Sequence, residues 1–319
     1  MPKKTDFVLI IGSSNMDLNI YSKKFPTPGE TVTGGTFKKF LGGKGANQSV
    51  ASVRSGAKTI FMSKIGVDSF GNEIVSQLTK EGINMDYIFR DPHNPSGVAF
   101  ILIDENGENM ISVAPGANFL LSPENVRSHV DIITKAKSIV VQMEIPMETI
   151  NEIFTIASNE NILKILNPAP LKPISFEILK KIDIIIPNEG ELFQLHSLLG
   201  FRDLNGERKQ KIIEMSQNIC SIGLKYIITT LGNKGCIIYS SKDKEIIEIA
   251  ALKVKAVDTV GAGDCFIGVL AGKLSGGETI VNAVKYATVA ASIAVTRKGA
   301  QNSMPLLEEI ESKLKEIDI

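Results

Sequence analysis

Short runs of Ile, Val and Leu recur along this chain, and most of them precede a segment with the periodicity of an amphipathic helix. The first run, Phe7 to Ile11, is apolar throughout and ends at Gly12, which is typical of a strand buried on both faces of a parallel sheet. The alternation predicts an α/β fold, with a central, mostly parallel sheet, right-handed crossovers and helices on both faces. Further strands are predicted at 59–65, 138–143, 162–166, 182–186 and 226–231.

The length of 319 residues suits one large α/β domain or two smaller ones. Because no repeat period or low-complexity linker stands out, a single domain over 1–319 is predicted. Two segments, 25–41 and 97–113, lack helical periodicity, and we expect them to pair as a small sheet outside the main one. A small sheet cannot bury both faces by itself, so a β lid formed by about 13–42 and 97–118 is expected to cover the active site, a partner subunit or both.

Charge and cysteine content narrow the class of protein. Lys+Arg and Asp+Glu both total 35, so no excess charge favours binding to nucleic acid or to a membrane surface. The three cysteines have no metal-ligand spacing, and a reducing compartment is favoured over a disulfide framework. With no apparent signal peptide or transmembrane span, we expect a soluble, cytoplasmic protein.

The stretch DTVGAGDCFIGVLAG, from Asp258 to Gly272, concentrates chemistry at the start of a helix. Gly261 and Gly263 flank Ala262, and an apolar helix is predicted to begin near Asp264. The free N–H groups of the first turn and the helix dipole predict an anion hole. Asp264 is then either a base beside that hole or merely the N-cap of the helix. Asp258 adds a candidate cation ligand, and together these features suit phosphoryl transfer.

The next residue, Cys265, has two interpretations. It follows Asp264 directly and is therefore a candidate nucleophile. No His lies near it in the sequence, so packing within the helix is the favoured interpretation.

Polar residues also follow the first predicted strand. Asn15 and Asp17 are two positions apart, so in an extended segment they lie on one side and can hold vicinal hydroxyls. The alternative is a polar loop with an Asx-turn. Ligands of open α/β sheets bind beyond the carboxyl ends of the strands, which favours the binding hypothesis.

A third polar segment, GGKGANQ from Gly42 to Gln48, precedes a predicted small-residue helix at 49–55. Its glycines let the backbone approach a compact polar ligand, while Lys44 and Asn47 supply donors. The segment is not a P-loop, because Lys44 is followed by Gly45, and no Rossmann fingerprint is present. Other polar residues at the ends of predicted strands indicate a ligand cleft along the carboxyl edge of the sheet, although turn chemistry alone also places such residues there. These are Glu144, Asn167, Asn188, Glu191, Thr230 and Gly232.

Eight motifs occur together, in order, over almost the whole chain: GSSNMD, PTPGETVTG, GGKGANQ, NPAP, PNEGE, TLGNKG, DTVGAGD and TRKGAQNSMP. In these motifs the chain resembles the carbohydrate kinase family that includes ribokinase, adenosine kinase and a minor type of phosphofructokinase. GGKGANQ and TRKGAQ favour the ribokinase branch.

The resemblance implies ATP-dependent phosphorylation of D-ribose at the 5-hydroxyl, giving D-ribose 5-phosphate and ADP. It implies that Asp264 is the base and that the N–H groups of Gly261, Ala262 and Gly263 form the anion hole. The implied sugar site, covered by the β lid, consists of Asn15, Asp17, Gly42, Gly43, Lys44, Asn47, Glu144 and Asp264.

The resemblance also implies two metals and a homodimer through the β lid. Nucleotide contacts are implied for Asn188, Thr230, Gly232, Asn282 and Thr288, with Glu191 organising Mg²⁺ and phosphate through water. A potassium ion is implied beside the anion hole, mostly on backbone oxygens. Its implied ligands are Asp258, Val260, Ala294, Arg297, Gly299 and Ser303. Cys265 stands where Thr, Ser or Ala is more usual, and adenine-side residues such as Thr288 vary, so the nucleotide preference is open.

Two alternatives remain at this level. One is a deoxyribokinase or another pentose or nucleoside kinase of the same family. The other is a non-catalytic sugar-binding regulator, but such a protein has no need for Asp264, Glu191 and the GAGD turn together.

Overall fold

The structure, a computed structural model, describes residues 6–158 and 160–317, so Asn159 and the two ends of the predicted 1–319 domain lie outside the described residues. Within the described ranges the chain forms a nine-stranded sheet and a separate four-stranded sheet. The strands are β1 (Phe7–Ile11), β2 (Asn15–Tyr21), β3 (Thr36–Gly42), β4 (Lys58–Gly66), β5 (Asn84–Asp91), β6 (Gly97–Ile103), β7 (Asn109–Ala114), β8 (Ser138–Gln142), β9 (Leu163–Asn167), β10 (Ile184–Ile185), β11 (Tyr226–Thr230), β12 (Cys236–Ser240) and β13 (Ile246–Ile249).

The large sheet has the strand order β13-β12-β11-β10-β9-β8-β1-β4-β5. Neighbouring strands from β11 to β5 are parallel, and only β12 and β13 add antiparallel pairs at one edge. The predicted mostly parallel sheet is therefore confirmed. The carboxyl ends of its parallel strands share one edge, where the polar residues of the sequence motifs follow.

Helices cover both faces of the large sheet, as predicted. Phe7, Leu9 and Ile11 of β1 belong to one apolar core with the helices at 123–220, whereas Val8 and Ile10 belong to a second core with the helices at 44–80 and 262–317. This division follows from the alternation of side chains along a strand. The helices are α1 (Lys44–Arg54), α2 (Ser69–Lys80), α3 (Pro123–Arg127), α4 (Val130–Lys135), α5 (Met147–Ser158), α6 (Phe176–Leu179), α7 (Glu189–Leu198), α8 (Arg208–Cys220), α9 (Ala262–Ser275), α10 (Ile280–Ala294) and α11 (Leu307–Ile317).

Three strands of the small sheet, β3, β6 and β7, come from the two segments predicted to pair, whereas β2 lies before the first of them. The order of this sheet is β3-β2-β6-β7, with β2 and β6 parallel and the two outer pairs antiparallel. β2 joins this sheet instead of continuing β1, because the chain leaves the large sheet between Ile11 and Asn15. None of the helices in the described ranges is long and apolar enough to span a membrane.

Three predicted boundaries differ from those in the structure. The helix expected at 49–55 begins at Lys44, because Gly43, at φ 85°, acts as its N-cap. The strand expected at 182–186 is limited to Ile184–Ile185. The apolar helix predicted near Asp264 begins two residues earlier, at Ala262.

The contact between α1 and α9 brings the GGKGANQ and GAGD motifs together. Gly268 of α9 lies so close to α1 that a Cβ built on it is 2.3 Å from the Gln48 carbonyl oxygen and 2.6 Å from the Ala51 Cβ. The close approach of two backbones therefore depends on a residue without a side chain.

We expect Gly268→Ala to destabilise the fold by roughly 1–3 kcal/mol, because an added methyl group overpacks this contact. Urea unfolding followed by circular dichroism measures the effect. Gly190→Ala is the matched control: Gly190 also lies in a helix, but the nearest atom to its added Cβ is 3.4 Å away, the side-chain oxygen of Asn188. Equal stability of the two variants would contradict the role given to Gly268.

Candidate active site

The GAGD turn opens α9 without a side-chain cap. Gly261 is the N-cap residue at φ 75°, and no side chain caps the helix. The Ala262 N–H group donates to the Thr259 carbonyl, whereas Gly263 and Asp264 follow in the first turn, where the helix itself offers no acceptor. The alternative that Asp264 is merely the N-cap is therefore wrong.

The Asp264 carboxylate is buried and receives hydrogen bonds from α1. Asn47 Nδ2 donates to Oδ2 at 2.9 Å, and Gln48 Nε2 donates to Oδ1 at 3.0 Å. The side chain is only 8% exposed. Because each carboxylate oxygen accepts an amide N–H group, the orientation of the carboxylate is fixed by consecutive residues at the start of α1. Gln48 belongs to the GGKGANQ motif, but sequence analysis assigned it no role.

Lys44 lies among carboxylates at the same end of α1. Its backbone N–H group donates to Glu144 Oε2 at 3.1 Å, and the Ser13 hydroxyl donates to the same oxygen. Burial opposes the charge of the Lys44 ammonium, but the negative charges of Asp264, Glu144 and Glu191 outweigh it and raise its pKa. The Lys44 ammonium is therefore held in its charged form.

Asn15 and Asp17 are placed together by β2 rather than by a polar loop. As alternate residues of one strand they lie on one face of the small sheet. Gly42 leaves room for Asp17, since a Cβ built on that glycine is 2.2 Å from Asp17 Oδ2. Burial raises the pKa of Asp17 to about 7, with further contributions from the charges of Glu144 and Asp264.

Asn118 was missed by sequence analysis. Its Oδ1 accepts the Ser14 N–H group at 2.9 Å, while its Nδ2 donates to the Ser14 carbonyl at 3.1 Å and to Asn15 Oδ1 at 2.8 Å. It thus fixes the connection between the two sheets and the orientation of the Asn15 amide. No motif marks it, because its partners lie a hundred residues away along the chain.

The GAGD turn also lines a cleft of about 970 Å³. Four of the predicted nucleotide contacts line it together with Ala262 and Gly263: Asn188, Thr230, Gly232 and Thr288. Asn282 does not line this cleft; it lies in the first turn of α10, where its Nδ2 donates to Glu278.

Glu191 lies in the first turn of α7, where it forms a capping box with Asn188. Its Oε2 accepts the Asn188 N–H group at 2.8 Å. Burial raises the pKa of Glu191; the hydrogen bond and the Lys44 charge oppose this effect, whereas the Asp264 charge adds to it.

The residues predicted to hold potassium come together beside the same turn. Asp258 Oδ1 accepts the Val260 N–H group at 3.0 Å, and Oδ2 accepts the Gly299 N–H group at 2.9 Å. Ala294 is the last residue of α10, and its carbonyl accepts the Arg297 N–H group at 3.0 Å. The Arg297 side chain instead pairs with Glu309. Ser303 lies in the following turn, where its hydroxyl donates to the Ala300 carbonyl at 2.7 Å.

Within 6–158 and 160–317, no cluster of three or more His, Cys, Asp or Glu residues is arranged to hold a metal ion. Cys265 is fully buried, and burial raises the pKa of its thiol to about 12, so it is no nucleophile. The other two cysteines are also buried and unpaired.

Known proteins resemble this chain over nearly its full length. The model of the pfkB family carbohydrate kinases matches residues 5–307. The chain belongs to this family. A ribokinase from Staphylococcus aureus is 37% identical over 308 residues, covering 96% of this chain and 99% of that protein. A deoxyribokinase from Salmonella typhi is 35% identical over 308 residues, covering 96% of this chain and 98% of its own.

The fold agrees with the same family. The structure of an Arabidopsis thaliana ribokinase complexed with ribose and ATP matches with a TM-score of 0.90 at 29% identity, covering 97% of this chain and 98% of that one. The family resemblance and the α/β fold with its small sheet are confirmed.

Proposed function

We propose that this protein transfers the γ-phosphoryl group of ATP to the 5-hydroxyl of D-ribose, giving D-ribose 5-phosphate and ADP. The observation that carries the proposal is the position of Asp264. Its buried carboxylate lies where Asn47 of the sugar side meets the first turn of α9, and that turn lines the large cleft. A relative with known ribose and ATP complexes shares the fold over nearly the whole chain, which supports this choice of substrates.

Asp264 acts as the general base in this proposal. It takes the proton of the attacking 5-hydroxyl, so that the oxygen attacks the γ-phosphorus as the bond to the β-phosphate oxygen breaks. The N–H groups of Gly261 and Gly263 and the positive end of the α9 dipole face the charge of the transferred group. The Ala262 N–H group, which donates to the Thr259 carbonyl at 3.3 Å, joins them when that hydrogen bond is exchanged. Lys44, among three carboxylates, supplies a positive charge near the reacting groups.

Sugar binding is assigned to the residues on the small-sheet side of Asp264. Asp17 and Glu144 are acceptors for sugar hydroxyls when ionised, while Asn15, Asn47 and Lys44 supply donors. Gly42 and Gly43 admit the sugar close to the backbone; at Gly42 a side chain would collide with Asp17. The small sheet acts as the β lid over this site.

The cleft on the other side suits ATP. Its volume of about 970 Å³ lies within the usual range for ligand sites of this kind. We assign Asn188, Thr230, Gly232 and Thr288 to nucleotide contacts, and we withdraw Asn282 because it lies elsewhere. Mg²⁺ is usually held by substrate phosphates, waters and one or two carboxylates, a role that Glu191 can fill through water without a dedicated metal cage. The bound ion would neutralise phosphate charge.

The segment around Asp258 suits a potassium ion. The carbonyl group of Ala294 lies at the carboxyl-terminal end of α10, where the helix dipole favours a cation, and Arg297 follows three residues later. One carboxylate, from Asp258, joins the two loops that carry Val260 and Gly299. Carbonyl oxygens of Val260 and Gly299 and an oxygen of Ser303 complete the proposed donor set, which is of the oxygen type that hard cations prefer.

The exposed apolar residues of the small sheet support a homodimer through the β lid. Five large apolar side chains there are at least half exposed, and they lie on three of its four strands. Phe37, Phe100 and Met110 lie on one face of the small sheet, and Ile111 and Val113 lie on the face that carries Asp17. Apolar side chains exposed on both faces of a small sheet leave surface for a partner subunit to cover. A cytoplasmic location is also proposed, on the basis of three buried cysteines that form no disulfide.

Potassium is expected to raise turnover by at least about tenfold over a bulky quaternary ammonium salt of the same ionic strength, because a fixed cation keeps the N–H groups of the GAGD turn oriented. Asp258→Ala is expected to remove this dependence by releasing Val260 and Gly299. ADP release measures both. Equal wild-type rates in the two salts would remove the ion from this site.

A sugar panel with ATP, Mg²⁺ and potassium tests the function. D-Ribose is expected to exceed 2-deoxy-D-ribose in kcat/KM by roughly tenfold to a hundredfold, because removing the 2-hydroxyl takes one of two hydrogen-bond partners from the half-buried acceptor Asp17. The assays are run at about pH 8, where a carboxyl of pKa about 7 is mostly ionised. A wild-type preference for deoxyribose would instead favour a deoxyribokinase, and sugar binding without ADP release would favour a regulator.

Asp17→Ala is expected to weaken ribose use and to narrow the ratio between the two sugars. The control is Asn19→Ala, two positions along the same face of β2; it is expected to leave the ratio unchanged. If Asp17→Ala lowers stability but keeps the wild-type ratio, Asp17 only shapes the strand.

A further inference from the structure

A second layer of amides lies behind the two that contact Asp264. Gln142 Nε2 donates to Gln48 Oε1 at 2.6 Å, and Gln301 Nε2 donates to Asn47 Oδ1 at 3.1 Å. The oxygen of each inner amide is therefore already bound. Only the N–H groups of Asn47 and Gln48 are left to face the carboxylate of Asp264.

The orientation of the inner amides decides what Asp264 meets. A side-chain amide has a donor end and an acceptor end, and a flipped amide would place its carbonyl oxygen against the carboxylate. Gln48 is held from two sides, because Asn167 Oδ1 also accepts its Nε2 group at 3.2 Å. The amide of Asn47 has one outer partner, Gln301.

The fold holds both outer amides in place. Gln142 is the last residue of β8 and is fully buried, and Gly12 leaves room for it, since a Cβ built there is 2.0 Å from Gln142 Oε1. Gln301 lies in the turn after Gly299, and its backbone carbonyl accepts Arg54 Nη1 at 2.8 Å. These two residues thus connect Asp264 to the centre of the large sheet and to the proposed potassium segment.

We propose that Gln142 and Gln301 are positioning residues for the phosphoryl transfer. Gln142 prevents the amide of Gln48 from flipping, and Gln301 does the same for Asn47, so that both oxygens of Asp264 accept an N–H group. This inference rests on the proposed function, in which Asp264 is the base. The two outer amides therefore keep the carboxylate of Asp264 in one orientation.

The test compares Gln142→Met and Gln301→Met with the wild type. Methionine keeps the length of the side chain and removes the donor. We expect kcat for ribose to fall about tenfold in Gln301→Met and severalfold in Gln142→Met, where Asn167 still holds Gln48. We expect the loss to appear in kcat, with the KM for ATP within about twofold of the wild type, because the two outer amides orient the base and do not line the nucleotide cleft.

Ser138→Ala is the matched control on the same strand as Gln142. Its fully buried hydroxyl shares a 2.6 Å hydrogen bond with Ser275, at the opposite end of β8. It is expected to lower the unfolding temperature without lowering kcat. A loss of kcat in the Met variants no larger than that in Ser138→Ala, or a loss matched by a rise in the KM for ATP, would overturn the proposal.

A double variant keeps the test decisive if a Met variant is unstable. Gln142 acts through Gln48, so Gln142→Met is expected to change kcat less than about twofold in a Gln48→Met background. Full additivity of the two losses would assign Gln142 a structural role only.

Failure of the proposed function has a different signature. An Asp264→Asn variant that keeps kcat within tenfold of the wild type would reject Asp264 as the base. An Asp264→Asn variant that loses turnover, beside Met variants that keep it, would reject only the roles of Gln142 and Gln301.

Discussion

The burial of one carboxylate, Asp264, with its oxygens bound by donors from another helix is the interaction on which the site depends. A buried carboxylate without donors is strongly unfavourable, so α9 must meet α1 at close range. Gly268 permits that approach, and Gly43 starts α1 early enough to aim Asn47 and Gln48 at the GAGD turn. The packing of α9 against α1 and the placement of the Asp264 carboxylate therefore depend on the same contact.

Charge balance gives the site its second property. Lys44 faces Asp264, Glu144 and Glu191, and it is held charged despite burial. Burial and the negative charges of Glu144 and Asp264 oppose the ionisation of Asp17, and its pKa of about 7 leaves it partly protonated near neutral pH. Sugar hydroxyls that donate to Asp17 would replace some of the lost hydration, which favours binding of a polyhydroxylated substrate over an apolar one.

Sequence motifs predicted much of this arrangement. The strand β1, the small sheet and the meeting of Asp258 with Gly299 follow from local patterns and the family resemblance. Asn118, Gln142 and Gln301 were not assigned roles, because their partners are distant in the chain and a lone amide carries no periodic signal. The early start of α1 was missed because Gly43 and Gly45 read as loop residues, whereas here one caps the helix and the other packs against Gly12.

The central claim is that Asp264 is the base rather than a structural carboxylate, and Asp264→Asn tests it most directly, with ribose binding followed by calorimetry and turnover by ADP release. The amide keeps the shape of the side chain but cannot take a proton. We expect ribose binding close to that of the wild type and a kcat lower by roughly 10²-fold to 10⁴-fold. A kcat within tenfold of the wild type, with ribose still bound, would contradict the account.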